Sequence, residues 1–197
     1  MNCRKQKIFK RLAKLLTFAL AWPLMAGCQT VKPIYTVEAV DLERFMGDWY
    51  VIASIPTFIE RDAYNAVESY RLDEDGTVAT TFSFNKGSFD GPLKTYAPRG
   101  FVRDKSSNAV WGMQFVWPFK AEYRIVYLTD DYSQTVIGRS KRDYVWIMAR
   151  EPSIPDEDYD RILDFLMDQG YTLDNLRKVP HGPAGGVSEN HRLMKSG

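Results

Sequence analysis

Gly47-Asp48-Trp49-Tyr50 is the stretch whose reading decides the fold of this chain. It stands where a short turn, Asp41-Leu42-Glu43-Arg44-Phe45, feeds the first long β-like run, Val51 to Thr57. Glycine lets the backbone turn sharply there without a Cβ clash, and the tryptophan two residues on is large enough to fill the end of a closed sheet. A Gly-x-Trp triplet alone is a weak signal. Two pieces farther along strengthen it: Thr129-Asp130-Asp131-Tyr132, and the Arg150 that ends the run beginning at Tyr144.

From Trp49 onward, short runs rich in Val, Ile, Thr, Phe, Tyr and Trp alternate with turn signals at the spacing of a meander. Asp73-Glu74-Asp75-Gly76 separates Tyr64–Leu72 from Thr77–Phe84, and Asp104 to Asn108 separates Tyr96–Val102 from Ala109–Val116. Gly87 to Pro92 reads as a loop. Later runs are Glu122–Leu128, Gln134–Gly138 and Tyr144–Arg150. These eight strand candidates predict an all-β fold, an antiparallel up-and-down barrel whose closure removes exposed edges. One clear helix follows, Asp156 to Gln169, with acids at its start, Gly170 as its stop, and Tyr159, Ile162, Leu163 and Leu166 on one face to pack outside the barrel.

The trio of Gly47-x-Trp49, Asp130-Asp131-Tyr132 and Arg150 resembles the three motifs of the lipocalins. Pro118-Phe119-Lys120 with Tyr123, Arg142-Asp143-Tyr144 with Trp146-Ile147, and Gly170-Tyr171 with Leu173 are similar to the bacterial outer-membrane lipoprotein branch. The resemblance covers about residues 38–180. It implies an eight-stranded barrel with a ligand cavity, a C-terminal helix outside it, and storage or transport of a small lipid. Gly47, Trp49, Asp131, Tyr132 and Arg150 become the structural motif residues, with either Asp130 or Asp131 in the family position. It also admits a homodimer, although no interface is legible in the sequence.

The formal net charge of +1 conceals an uneven distribution. Residues 1–27 hold six basic residues and no acidic one, so 20 basic residues of the 26 remain against 25 acidic ones, a net charge of −5. A net negative domain with no basic run is a poor partner for nucleic acid. Residues 1–14 form a basic n-region, and Leu15 to Ala26 is an apolar stretch shorter than the ~20 residues a membrane span needs. Leu24-Met25-Ala26-Gly27-Cys28 resembles a bacterial lipobox, which makes Cys28 the lipidated N-terminus of the mature chain; an unmodified cysteine behind an ordinary signal is the alternative. Gln29, by resemblance to bacterial lipoproteins, implies sorting to the outer membrane. The expected organisation is a signal peptide at 1–27, a lipidated tether at 28–40, barrel and helix at 41–181, and a disordered tail at 182–197.

Period-two alternation from Trp49 sends Val51, Ala53 and Ile55 inward, and from Arg150 it sends Met148, Trp146 and Tyr144 inward. Trp111, Met113 and Phe115 form another such row, as do Tyr123, Ile125 and Tyr127. The expected lining is apolar and aromatic, with phenol hydroxyls as its few polar groups, which suits a fatty acid, lysophospholipid or similar small hydrophobic ligand. The same rows would also fill a barrel solid, so a structural envelope lipoprotein is one alternative and a lipid-modifying barrel enzyme another. Catalysis and metal binding find little support, because His181 and His191 fall in the polar tail and Cys3 and Cys28 at the export segment. No cofactor is expected. Arg150 is expected to stack on Trp49.

Overall fold

Asp41 starts the ordered architecture by capping a single helical turn. Its carboxylate accepts the Arg44 N–H at 3.2 Å and holds α1 (Leu42–Phe45), from which the chain leaves through Gly47 at φ +96°. The computed structural model describes residues 33–182; the expected signal peptide, Cys28 and residues 183–197 of the expected tail lie outside the described residues. The elements that follow are β1 (Gly47–Ile55), β2 (Ala63–Leu72), β3 (Thr77–Lys86), β4 (Leu93–Tyr96), β5 (Arg99–Val102), β6 (Val110–Val116), β7 (Phe119–Leu128), β8 (Gln134–Gly138), β9 (Val145–Ala149), α2 (Asp156–Asp168) and β10 (Arg177–Lys178). All pairings are antiparallel, the sheet runs β10-β1-β2-β3-β5-β6-β7-β8-β9, and β9 returns to pair with β1. β4 and β5 both pair with β3 and are two halves of one stave, interrupted at Ala97-Pro98 where proline removes a ladder donor. The barrel therefore has eight staves, as the sequence predicts.

Two cores result, one on each face of the wall. Phe45, Trp49, Val51, Tyr70, Trp111 and Tyr123 belong to the inner one. Outside, Ile162 and Leu166 of α2 are fully buried against Ala53, Val136, Ile147 and Ala149. Each such aliphatic side chain contributes about 1.5–3 kcal/mol. The helix is pinned at both ends: Gln134 Nε2 donates to Asp158 at 2.6 Å, and Arg142 Nε donates to the Gln169 carbonyl at 2.6 Å.

Residues 34–40, expected to be tether, pack on the barrel. Ile34 is buried beside Gly138, Val37 N–H donates to the Ile125 carbonyl, and Val40 is buried at the closed end, where its N–H reaches the Ser107 carbonyl. His181 is likewise seated on the wall rather than loose. Its Nε2 lies 2.8 Å from the Val51 carbonyl and its ring meets Tyr50, because β10 and the residues after it fill the seam where β1 and β2 part company. Within residues 33–182 every element belongs to one compact unit.

The closed end is built around Arg150, whose guanidinium carbon lies 3.8 Å from the Trp49 ring centroid. The same group donates to the carbonyls of Asp48 and Arg44, each at 2.8 Å, and of Phe45 at 3.1 Å, while Trp49 Nε1 donates to Phe45 at 2.9 Å. Trp49→Ala is expected to cost ~3–5 kcal/mol, as truncation of a fully buried aromatic does. Arg150→Ala is expected to cost roughly 2–4 kcal/mol, since a cation–π contact and several charge-assisted hydrogen bonds vanish together. A double-mutant cycle from urea unfolding will show the two losses to be less than additive; strict additivity would mean that the side chains do not act together.

Candidate functional site

The interior divides by height. Toward the closed end it is packed with rings: Phe45 lies 5.0 Å from Trp49 and 5.6 Å from Trp111, and Trp111 stacks on Tyr123 at 5.2 Å and 12°. Toward the open end Glu68, Tyr96 and Trp146 face inward yet keep accessible surface. Glu68 is half-buried on the inward row of β2 between Ala66 and Tyr70. Phe82, Phe84 and Tyr96 form an aromatic wall there, with centroids 5.3–6.5 Å apart.

Of the lining residues the sequence predicts, Val51, Met113, Tyr123, Ile125 and Trp146 belong to the inner cluster. Tyr144 lies at the open end just before β9, 6.2 Å from the Trp146 ring and under the Arg139 guanidinium. Four expectations fail, each where the ladder slips. A register shift between Val51 and Ala53 reverses the parity of β1, so Ala53 and Ile55 face the outer, helix-side core and Ser54 takes the inward place opposite Trp146. A shift between Ile125 and Tyr127 does the same on β7, and Tyr127 packs on Phe165 of α2 at 5.4 Å. Phe115 falls in the irregular pairing between Met113 and Val116 and is 52% exposed at the hairpin tip.

Two carboxyl groups inside the barrel escape the sequence reading. Glu60, in the loop after β1, is buried; its Oε1 accepts the Thr57 N–H at 2.7 Å and its Oε2 accepts from Trp146 Nε1 at 3.2 Å. Burial pushes its pKa up, partly offset by the Thr57 N–H. Glu68 lies deeper, bonded by the Tyr70 hydroxyl, which is itself 2.7 Å from the Tyr123 hydroxyl. Burial, with the nearby Glu60 charge adding to it, pushes Glu68 up to about 8, and burial beside Glu68 raises Tyr123 too. Glu68 is therefore a neutral carboxylic acid at pH 7, able to donate a hydrogen bond. The alternation Ala66, Glu68, Tyr70 along β2 carries the signal for it, a lone acid in an otherwise inward-facing row.

Asp131 holds the β7–β8 turn. It accepts the Ser133 N–H at 3.0 Å and the Ser133 hydroxyl at 2.7 Å, and hydroxyl bonds to Thr129 and Ser133 hold its carboxyl down at about 2. The Asp130 carbonyl instead accepts from Arg44, whose guanidinium lies 4.0 Å over the Tyr132 ring. The Tyr132 hydroxyl accepts the Asp41 N–H at 2.8 Å, which ties this turn to the entry of β1. Among the described residues no group of three or more His, Cys, Asp or Glu could hold a metal, and no helix is long and apolar enough to cross a membrane.

The family model of the Lipocalin-like domain matches residues 40–181. Temperature-induced lipocalin-1 of Arabidopsis thaliana is 28% identical over 161 residues, 76% of this chain and 83% of that one. Outer membrane lipoprotein Blc of Escherichia coli (strain K12) is 27% identical over 168 residues, 83% and 93% of the two chains, and mouse Apolipoprotein D is 26% identical over 84% and 88%. Among solved structures, insecticyanin from the tobacco hornworm Manduca sexta superposes with a TM-score of 0.62 at 15% identity, over 78% of this chain and 87% of that one, which speaks for the fold alone. With the match spanning the whole barrel and helix, the chain belongs to the lipocalin family.

Proposed function

We propose that this lipocalin is anchored to the outer membrane through lipidated Cys28 and stores or carries single-chain amphiphiles, fatty acids or lysophospholipids, in the cell envelope. The observation that carries the reading is the inward-facing group of Phe82, Phe84, Tyr96 and Trp146 in the upper barrel, of which Tyr96 and Trp146 stay only half-buried beside the polar Glu68. Apolar walls with sparse polar contacts are the recognition chemistry of an acyl chain. The lipoprotein relatives named Blc support the membrane assignment, and the Ala26-Gly27-Cys28 ending agrees with it. Each buried methylene of an attached chain adds about 0.8 kcal/mol of membrane affinity.

The enclosed acids refine the choice of head group. Glu60 beside Trp146 near the mouth suits an ammonium or a hydroxyl better than a second carboxylate, which favours lysophospholipids over fatty acids within the class. We read the protein as a binder rather than an enzyme, which the lipocalin-like family match supports.

Binding of a fluorescent acyl probe tests the cavity. Trp146→Ala is expected to weaken it about tenfold or more through the loss of a lining aromatic, whereas Tyr127→Ala, which alters the outer face, leaves it unchanged. Equal affinities in two folded variants would contradict the assignment. The ligand-free barrel is also expected to lose stability as pH rises from about 4.5 to about 8, because Glu68 binds its proton more tightly folded than unfolded. Glu68→Gln should flatten that part of the profile in urea unfolding. For the anchor, Cys28→Ala is expected to abolish acylation and membrane fractionation, and an acylated, membrane-bound variant would refute it.

A further inference from the structure

Large apolar side chains are exposed very unevenly on this barrel. Among the described residues, all of them except Tyr35 and Met167 lie on the loops and strand tips round the open end. The most exposed are Trp117 (81%), Phe58 (80%), Phe119 (76%) and Val116 (68%). Three of these four form the tip of the β6–β7 hairpin, and Phe58 stands on the loop after β1. Isolated apolar groups on a surface need no explanation, but a cluster at one pole marks an interaction site.

Charge follows the same polarity. Setting aside the Arg139–Asp143 and Arg124–Glu122 ion pairs and Arg142, which donates to Gln169 and Ser140, the mouth carries Arg61, Lys86, Lys94, Lys141 and Lys120, the last over the Phe101 ring, against Asp62, Asp90 and the buried Glu60. At the opposite pole the turns after β2 and β7 carry Glu74, Asp75, Asp130 and Asp131 beside Asp73, which pairs with Arg71 and Arg99. A net negative domain thus presents a positive, aromatic rim at its mouth. Two copies meeting rim to rim would oppose like charges, whereas an anionic lipid surface complements both the charge and the rings. Tryptophan and phenylalanine at such a rim occupy the boundary between head groups and acyl chains.

The path of the chain agrees. Ile34 packs beside Gly138, the residue at which β8 ends on the mouth side, and from there the chain runs down to the closed end at Val40. Pro33 lies five positions after Cys28, a reach of at most about 17 Å when fully extended. If Cys28 is the anchor, so short a strap holds the mouth side of the barrel near the bilayer.

We infer that the rim formed by Phe58, Val116, Trp117 and Phe119 with Lys86 and Lys94 docks mouth-down on an anionic lipid bilayer. An amphiphile then passes between bilayer and cavity without crossing water. The strap argument rests on the anchoring reading; the rim itself does not. Residues 32–197, which contain the whole barrel unit and lack the anchor, provide the test. This segment is expected to float with vesicles of phosphatidylglycerol and phosphatidylethanolamine, and far less with phosphatidylcholine alone or at high salt. Trp117→Ala with Phe119→Ala should lower the partition coefficient at least tenfold, as should Lys86→Glu with Lys94→Glu. Phe58→Ala, on a separate loop, should lower it severalfold. Acyl-probe affinity in solution should stay unchanged in all three variants, which separates a failure of docking from a failure of the ligand reading. Flotation equal to that of the unaltered segment in the folded variants would overturn the inference. So would a self-association that is abolished by the Trp117 and Phe119 changes and occurs without vesicle binding.

Discussion

One guanidinium holds the two ends of the barrel sheet together. Arg150 leaves β9 at the point where β1 begins, covers the face of Trp49, and gathers the carbonyls of Arg44, Phe45 and Asp48. These are carbonyls that α1 and the turn after it leave short of intrahelical donors, so the cation satisfies backbone and ring at once. Closing a sheet of eight staves requires its first and last strands to meet in one register. Trp49 fills the floor that results, and Phe45 packs on it and meets Tyr70 and Trp111 in turn. A second latch, Arg44 over Tyr132 with the Tyr132 hydroxyl on Asp41, ties the β7–β8 turn to the same floor.

With the floor sealed, the two poles can differ. Ring packing at the closed end contributes stability, while the upper half sets the half-buried Glu68 among its inward-facing side chains. A carboxyl group there is an energetic cost to the ligand-free barrel, and it stays neutral at pH 7 because the interior resists its charge. Its partner Tyr70 belongs to the same ring cluster as Trp49, so the polar site rests on the rigid floor rather than on a loop. Glu60, by contrast, belongs to a loop at the rim, where Trp146 fixes its direction.

Motif spacing made the closed end legible in the sequence, because Trp49, Tyr132 and Arg150 act through their identities and sit at strand ends, where register errors do not accumulate. The strand runs and α2 were legible for the same reason that they form: turn residues at regular distances, and an apolar stripe at Ile162 and Leu166. Side-chain direction in mid-strand was less legible. Alternation assumes an unbroken ladder, and single-residue slips near Ile52 and Val126 turn Ala53, Ile55 and Tyr127 outward without any change of residue type to announce them. Glu68 was open to view as an acid within an inward row, but an acid reads as a solvated surface unless the row is followed residue by residue. Ile34 and Val40 anchor a segment whose proline and polar neighbours read as a tether.

The central claim is that the upper barrel holds one single-chain amphiphile noncovalently. Native mass spectrometry of the protein extracted from membranes measures this most directly, since a covalent anchor survives denaturation and a cavity ligand does not. The account predicts a 1:1 complex that releases one fatty acid or lysophospholipid on unfolding and re-forms when either is added back. A chain that carries no releasable lipid, and takes up neither amphiphile when they are supplied in excess, would contradict it.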